Sequence, residues 1–313
     1  MRWDPAALVS FLLGLCSLAL CLLALTGIPA IVFGLRGLRR VNTADGRLRG
    51  RRLALAGLTL GTVGTAATMV GAAAIVVVQL RATSYRVECV NRLRQIGIAL
   101  NKYADTHQTF PPATRDPAAL PPERRLSWLA DVLPLLAEGA AVNASYQELA
   151  RQVDRTRGWD DAANAPVAER VVRMFLCPAH PDTVRLRSPG RTDYVGVAGV
   201  GPDAAALPRS DRRAGLFGND RGVKRDEVAG GISHTLMVLE TAWENGPWLA
   251  GGFPTARGVD PGAEPYSGWG RPFGGLHPGV VNALWVDGAV RPLADDTAAD
   301  VFRRAATLAA DAR

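Results

Sequence analysis

Two long stretches of the sequence contain no charged residue: residues 5–33 and residues 53–80. A helix needs about 20 apolar residues to cross a bilayer, and both stretches are longer than that. A core helix of a soluble protein rarely runs so far without a charge. The absence of charge therefore argues against a wholly soluble chain and predicts two transmembrane helices near its start.

The N-terminus also lacks the basic region with which a signal peptide begins. The chain starts Met1, Arg2, Trp3, Asp4. The apolar run that follows is longer than the roughly 7–15 residues of a signal-peptide core. We therefore expect the first segment to be a retained helix.

The connector between the two stretches, residues 36–52, contains a single acidic residue, Asp45. Short connectors rich in arginine stay in the cytoplasm. We therefore expect residues 1–80 to form a transmembrane hairpin in the cytoplasmic (inner) membrane, and residues 81–313 to form one domain outside that membrane. The arginines that set this topology are Arg36, Arg39, Arg40, Arg47, Arg49, Arg51 and Arg52.

The connector also explains the net charge of +7, because only +1 remains for everything after residue 80. The basic pI is thus a property of the juxtamembrane segment, which attracts anionic lipid weakly. The bilayer is the partner that this charge predicts, and nucleic-acid binding is not expected.

Cysteine is scarce. Cys16 and Cys21 lie in the first apolar stretch, where a thiol acts as a small apolar group. Cys89 and Cys177 are the only two in the soluble region. In an oxidising compartment such an even pair predicts a disulfide, and two buried free thiols are the alternative.

The second apolar stretch continues into an amphipathic pattern. Tyr85, Cys89, Leu93, Ile96, Leu100 and Tyr103 recur at helical spacing, which predicts one helix of about 80 Å from residue 53 to about residue 106. Further helices are predicted at residues 126–136, with a kink at Pro134, and at residues 144–155, 165–175 and 296–310.

Strand-like runs appear after Cys177, at residues 194–198, 235–240, 280–286 and 289–293. Asp287 and Gly288 separate the last two runs. This dipeptide predicts a tight hairpin turn in which both residues have positive φ. Neither face of the run at 280–286 is strongly polar, so we expect that strand to be buried on both sides.

These residues resemble a known bacterial family of pseudopilin-like envelope proteins, domain of unknown function 1559. Its signature of His, nine residues, then Asp-Gly is matched by His277, Asp287 and Gly288. Further similar blocks begin at Glu88, Ser127, Phe175, Thr192 and Ile232, and in the last of these His234 replaces the usual Asn. The resemblance implies an α+β fold in which a long pilin-like helix packs on an antiparallel sheet, and a type II secretion-like role.

The N-terminal hairpin resembles a second family, domain of unknown function 4190, a two-helix membrane module. The sequence RGRRLALAGLTLG, which starts at Arg49, carries this likeness. Typical pseudopilins instead begin with a short basic leader, a Gly cleavage site and a Glu near the start of the helix. This chain has none of these features, so filament assembly is not expected.

His277 raises the question of catalysis. A hairpin that placed it beside Glu240 or Asp193 would form a metal-binding set. The favoured hypothesis is structural: His277, Pro278 and Gly279 form the turn that begins a strand, and the next Asp-Gly forms another turn. We expect no catalytic residue, no metal and no cofactor.

Other chemical motifs are missing or incomplete. Cys177 and His180 resemble half of a zinc motif, but a second pair at ligand spacing is absent. There is no nucleophile elbow and no phosphate-binding loop. The C-terminal third contains four tryptophans, which indicate core anchors in preference to an aromatic groove for sugar or peptide: Trp243, Trp248, Trp269 and Trp285.

The sequence thus favours a non-enzymatic envelope protein with a structural or assembly role, through self-association or contact with other envelope proteins. The alternative is an anchored module that binds an extracytoplasmic solute or other ligand. A metal-dependent hydrolase that uses His277 and Asp287 is the third and weakest hypothesis.

Overall fold

The computed structural model describes residues 2–3, 5, 8–9, 11–13, 23–43, 48–115, 117–137, 139–180 and 190–309. Arg47, Cys16 and Cys21 lie outside these residues, as does part of the first apolar stretch. The chain forms two compact units, Met1–Arg81 and Ala82–Arg313.

The first unit contains helix α1 (Leu23–Thr43), the short parallel pair β1 (Arg2–Trp3) and β2 (Leu48–Arg49), and the start of helix α2 (Arg51–His107). In both helices the buried positions are small residues, spaced three, four and three residues apart. They are Gly27, Ala30, Gly34 and Gly37 in α1, and Ala54, Gly57, Gly61 and Gly64 in α2.

The two helices approach closely at these small residues. A Cβ on Gly61 would lie 3.0 Å from the Ala30 Cβ and 3.0 Å from the Gly27 carbonyl oxygen. A Cβ on Gly27 would lie 2.3 Å from the Thr65 Oγ1. Lipid tails are as apolar as the helix side chains, so no hydrophobic force drives helices together in a membrane. Such helices usually associate through close backbone packing at small residues.

Helix α2 has 57 residues and is therefore about 86 Å long at 1.5 Å per residue. The predicted long helix is confirmed. Its first half carries apolar side chains that are largely exposed, such as Met69 (68%) and Val70 (70%). Among the described residues, α2 is the one helix that is long and apolar enough to span a membrane.

The second half of α2 buries Cys89, Leu93, Ile96, Leu100 and Tyr103, as the helical spacing predicts. Tyr85 is 39% exposed, so the buried face begins one turn later than predicted. The helix ends at His107, and Gln108 takes the left-handed conformation (φ 62°) that is common just after a helix.

The second unit contains a five-stranded sheet in the order β5-β3-β4-β6-β7. Its strands are β3 (Tyr194–Val200), β4 (Leu236–Glu240), β5 (Ala256–Val259), β6 (Val280–Trp285) and β7 (Val290–Ala294). Strand β5 pairs parallel with β3, while the other neighbours pair antiparallel.

The predicted antiparallel sheet is therefore wrong in one respect, because the sheet is mixed. Strand β5 has only four residues and includes a charged Arg257 and a glycine, so it shows no strand pattern in the sequence. It becomes a strand because the connection from β4 returns it to the open edge of β3.

Strand β6 is buried along most of its length, as predicted. Leu284 packs in the core beneath α2, and a Cβ on Gly97 of that helix would lie 2.8 Å from the Leu284 Cδ1. Val281 and Ala283 belong to a second core cluster with Phe273 and Phe302. Both faces of the sheet pack against hydrophobic core, which explains why β6 has no polar side.

The turn between β6 and β7 differs from the predicted two-residue turn. The Gly288 N–H donates to the Trp285 carbonyl (2.8 Å), and the Trp285 N–H donates to the Ala289 carbonyl (2.9 Å). The loop thus has three residues, and only Gly288 has a positive φ (83°). This is a type I turn followed by a glycine bulge, which needs one left-handed residue instead of two.

The remaining helices are short: α3 (Trp128–Val132), α4 (Ala140–Arg151), α5 (Ala165–Ala168) and α6 (Ala299–Ala305). A 3-10 turn at Leu133–Leu135 contains Pro134, as the predicted kink requires. The helix predicted at residues 165–175 is wrong. It ends after four residues because Val172 is extended, and a 3-10 turn follows at Arg173–Phe175.

The packing of α1 on α2 generates a testable expectation. Replacing Gly61 with Ile should separate the helices, because a side chain there collides with Ala30. Gly71→Ile is the matched control, since a Cβ at Gly71 meets nothing within 4 Å. A photoreactive residue in place of Ile31, whose Cγ1 lies 3.3 Å from a Cβ on Gly61, should form cross-links to α2 that mass spectrometry detects. Gly61→Ile should abolish most of this product, and equal yields from both variants would contradict the packing.

Candidate functional site

The signature histidine lies in a buried polar cluster where α2 meets the sheet. Cys89 projects from the buried face of α2, and Cys177 follows the 3-10 turn at Arg173–Phe175. A disulfide joins them, with their Cα atoms 5.5 Å apart and a sequence separation of 88 residues. The His277 Nε2 lies 3.5 Å from the Cys177 Sγ.

Glu240, at the end of β4, completes this group. Its Oε1 lies 3.6 Å from the His277 Nε2, and its Oε2 accepts a hydrogen bond from the Asn282 N–H (3.0 Å). We name Cys89, Cys177, Glu240 and His277 the disulfide cluster. All four side chains are buried.

His277 is held in place by the turn that begins β6. Its carbonyl accepts from the Val280 N–H (3.3 Å), and Gly279 supplies the positive φ (77°) that the turn requires. This is the structural role that the sequence favoured. The imidazole in addition faces a carboxylate and a sulfur, an outcome that depends on β4 and β6 being neighbours.

Asp287 is not part of this cluster. It lies at the other end of β6, about 20 Å of extended chain from the turn at His277. Its Oδ1 accepts from the Ala289 N–H (2.9 Å), and its Oδ2 pairs with Arg291 (2.9 Å). The hypothesis that His277 and Asp287 share a hydrolytic site is therefore wrong, because the strand between them holds them apart.

A second buried network lies beside the first and was not foreseen. The Asp193 Oδ2 accepts from the Cys177 N–H (2.7 Å), while its Oδ1 lies 2.9 Å from the His180 Nδ1 and accepts from Asn245 (2.7 Å). Arg191 lies 3.2 Å from the His180 Nε2. Since an arginine can only donate, the geometry favours a neutral His180 that donates from Nδ1 to Asp193.

This network fixes the segment that carries Cys177. Asp193 bonds the Cys177 backbone directly, and His180 is one turn further along the chain. Cys177 and His180 thus share Asp193 as a carboxylate partner. Sequence reasoning named Asp193 only as a candidate neighbour of His277 and missed Arg191. Their partners Cys177, His180 and Asn245 are 11 to 52 residues away and follow no local spacing.

A cavity of about 580 Å³ opens next to both networks. His180 and His277 line its floor, and Trp269, which is 84% exposed, lines its rim. Asp295 also borders it, and burial raises the pKa of this carboxyl above its ordinary value. We name it the histidine cavity.

A second cavity, of about 450 Å³, is lined by Trp243, Phe253 and Arg257. The Arg257 guanidinium carbon lies 4.3 Å from the Phe253 ring centre. Burial lowers the pKa of Arg257 to about 10. The Arg257 side chain donates to the carbonyls of Trp243 (3.0 Å) and Pro272 (3.2 Å), so its main role is to tie loops together.

The four tryptophans of the C-terminal third therefore do not form one aromatic groove. Trp248 is fully buried in the core. Trp243 and Trp269 border different cavities, and Trp285 is half-buried beneath the Arg291 guanidinium (4.7 Å). The core hypothesis holds for Trp248, and Trp285 packs against the second core cluster, while Trp243 and Trp269 are cavity wall residues.

Comparison with protein families gives two matches. A family model described as a protein of unknown function (DUF1559) matches residues 79–300, and one described as a domain of unknown function (DUF4190) matches residues 6–71. No curated protein and no solved structure matches the chain.

The disulfide makes a prediction that mass spectrometry can check. Peptide mapping without reductant should recover the Cys89 peptide bound to the Cys177 peptide. Reduction should lower the free energy of unfolding by about 4 to 5 kcal/mol, because the bond closes a loop of 88 residues. The double variant Cys89→Ser, Cys177→Ser should not respond to reductant. Two free thiols in the untreated protein would contradict the pairing.

Proposed function

The chain belongs to the family of proteins of unknown function DUF1559, preceded by a DUF4190 module, and we propose that it is a non-enzymatic, membrane-anchored envelope protein. Its role in this proposal is structural or assembly-related, in the manner of a pseudopilin of a type II secretion-like system. The proposal extends beyond the family match, which by itself assigns no function.

The observation that carries the proposal is the two-part character of α2. Its first half exposes Val70, Ile75 and Leu80 to 65% or more and contains no charge from residue 53 to residue 80. Its second half is the buried spine of an α+β domain. One helix that passes from a bilayer into a folded domain is the architecture of a pilin-like subunit.

The close packing of α1 on α2 supports a second span. Both helices bury glycine and alanine and expose larger apolar residues, such as Val32 (40%) and Val63 (63%). This arrangement suits a hairpin surrounded by lipid, where close packing and not water exclusion holds helices together. In this proposal the arginine-rich connector is cytoplasmic and the domain from residue 81 onward lies outside the inner membrane.

A non-enzymatic role is favoured by the surroundings of the polar groups in the signature motif. His277 and Glu240 are buried beside a disulfide, and Asp287 serves its own turn. A hydrolase needs a nucleophile or an activated water in contact with a substrate. His277 instead packs the turn before β6 against Glu240 and the disulfide, and Asp287 stabilises a local turn.

The histidine cavity favours a second candidate function, an anchored binding module. Its volume of about 580 Å³ suits a small ligand, and the exposed Trp269 at the rim offers a flat apolar surface with a polar tip. In this alternative the membrane hairpin only holds the binding domain at the cell surface, and the protein acts as a monomer.

Topology can be measured with reporter fusions. Alkaline phosphatase is active only outside the cytoplasmic membrane, and green fluorescent protein fluoresces only inside. We expect a phosphatase fused to the C-terminus to be active, and a fluorescent reporter placed after Thr43 to fluoresce. Replacing the seven connector arginines with glutamine should weaken both signals, since it removes the charge bias. An inactive C-terminal phosphatase would place the domain in the cytoplasm and defeat the proposal.

Cross-linking in living cells distinguishes assembly from binding. A photoreactive residue at Val70, on the exposed apolar half of α2, should yield a ladder of self-adducts if copies assemble through this helix. The control position is Val301 on α6, which is 45% exposed but far along the chain from that helix. It should give at least severalfold less adduct. A strictly monomeric pattern at Val70 would reject assembly and favour the binding module.

A further inference from the structure

The disulfide cluster contains the donor atoms of a metal site. One ligand atom from each of Cys89, Cys177, Glu240 and His277 lies within 4.8 Å of every other, and all four side chains are buried. Two sulfurs, one imidazole nitrogen and one carboxylate oxygen are four donors, each of a type that binds zinc in proteins.

The spacing of the donors agrees with a tetrahedral ion. With Zn–S near 2.3 Å and Zn–N or Zn–O near 2.0–2.2 Å, tetrahedral ligands lie about 3.3 to 3.8 Å apart. The Cys177 Sγ and the His277 Nε2 are 3.5 Å apart, and the His277 Nε2 and the Glu240 Oε1 are 3.6 Å apart. The two sulfurs, joined as a disulfide, must separate before both can bind the ion.

Glu240 supplies an independent observation. Its side chain is 1% exposed, yet its Oε1 has no hydrogen-bond partner among the described residues. Its Oε2 is held by the Asn282 N–H, so the carboxylate is oriented with Oε1 toward the sulfurs and His277. A buried carboxylate oxygen without a donor is costly, and a bound cation would satisfy it.

We propose that reduction of the Cys89–Cys177 disulfide converts the cluster into a binding site for one Zn²⁺. A dithiol reductant transfers two electrons and two protons to the disulfide and itself becomes a disulfide, which leaves two thiols. Zn²⁺ then binds both sulfurs as thiolates, together with the His277 Nε2 and the Glu240 Oε1, and the two thiol protons are released. The disulfide and the metal-bound state exclude each other, because a bonded sulfur is not a thiolate ligand.

The surroundings suit a zinc site of this composition. Two thiolates and one carboxylate exceed the charge of Zn²⁺ by one. Arg92, which is paired with Glu88, lies nearby and donates to the Leu176 carbonyl (2.6 Å). The bond between Asn282 and the Glu240 Oε2 is the type of outer contact that orients a metal ligand. The histidine cavity reaches His277 and offers a route for the ion.

The test uses the full-length protein in detergent. The protein is reduced with a phosphine that does not bind metal, incubated with Zn²⁺, and freed of unbound ion, after which zinc and protein are quantified. We expect one Zn²⁺ per reduced chain and none in the oxidised chain. Co²⁺ in place of Zn²⁺ should produce thiolate charge-transfer absorption and the visible bands of a tetrahedral ion. Bound metal should also protect both cysteines from alkylation.

Ligand variants keep the test independent of folding. His277→Gln and Glu240→Gln retain both cysteines, and formation of the disulfide in each oxidised variant reports that the fold is intact. Each variant should weaken Zn²⁺ binding by at least about tenfold, because removing even an outer contact of a metal ligand lowers metal affinity by about that factor. His234→Gln, at an exposed histidine, is the matched control and should bind like the parent. Absence of zinc in the reduced parent, or unchanged binding in both ligand variants, would overturn the proposal.

Discussion

Helix α2 must satisfy two environments, and most of the structure follows from that requirement. Its first half has no charge and suits lipid, where every backbone polar group must be paired within the helix itself. Its second half is amphipathic and buries one face beneath a sheet. Because a helix pairs its own backbone throughout, it can pass between these environments without a break, which a strand or a loop cannot do. The close contact between Gly97 and Leu284 then sets how near the sheet lies to this helix.

The disulfide cluster lies where this helix is attached to the rest of the domain. Cys89 is the first fully buried position of the amphipathic half, and its partner Cys177 is anchored by Asp193 through the backbone. His277 and Glu240 come from the turn and the strand on the far side of the same junction. A covalent bond at this point ties the helix to a segment 88 residues away, and it does so among polar groups that are costly to bury without partners.

Much of the fold could be predicted because it depends on local spacing. The long helix shows helical periodicity, Pro134 marks the kink, and the strands β3, β4, β6 and β7 appear as short runs rich in apolar residues. Strand β5 carries none, since Arg257 lies in the middle of a four-residue strand and pairs through its guanidinium with distant carbonyls. The turn at Asp287 and Gly288 was located correctly. Its type depends on the number of loop residues, which is set by the pairing register of β6 and β7.

The sequence by itself determined that the chain begins with uncharged apolar stretches that suit a membrane and continues into an amphipathic helix, because absence of charge and helical periodicity are properties of neighbouring residues. It also identified Cys89, Cys177 and His277 as residues of interest. Only the tertiary structure decided that His277 faces Glu240 and a sulfur while Asp287 faces Arg291. The reason is that strand order decides which side chains become neighbours. The pairing of β4 with β6 brings Glu240 beside His277, while the packing of α2 and of the Cys177 segment on the sheet joins residues 88 or 100 positions apart. No local spacing in the sequence records either arrangement.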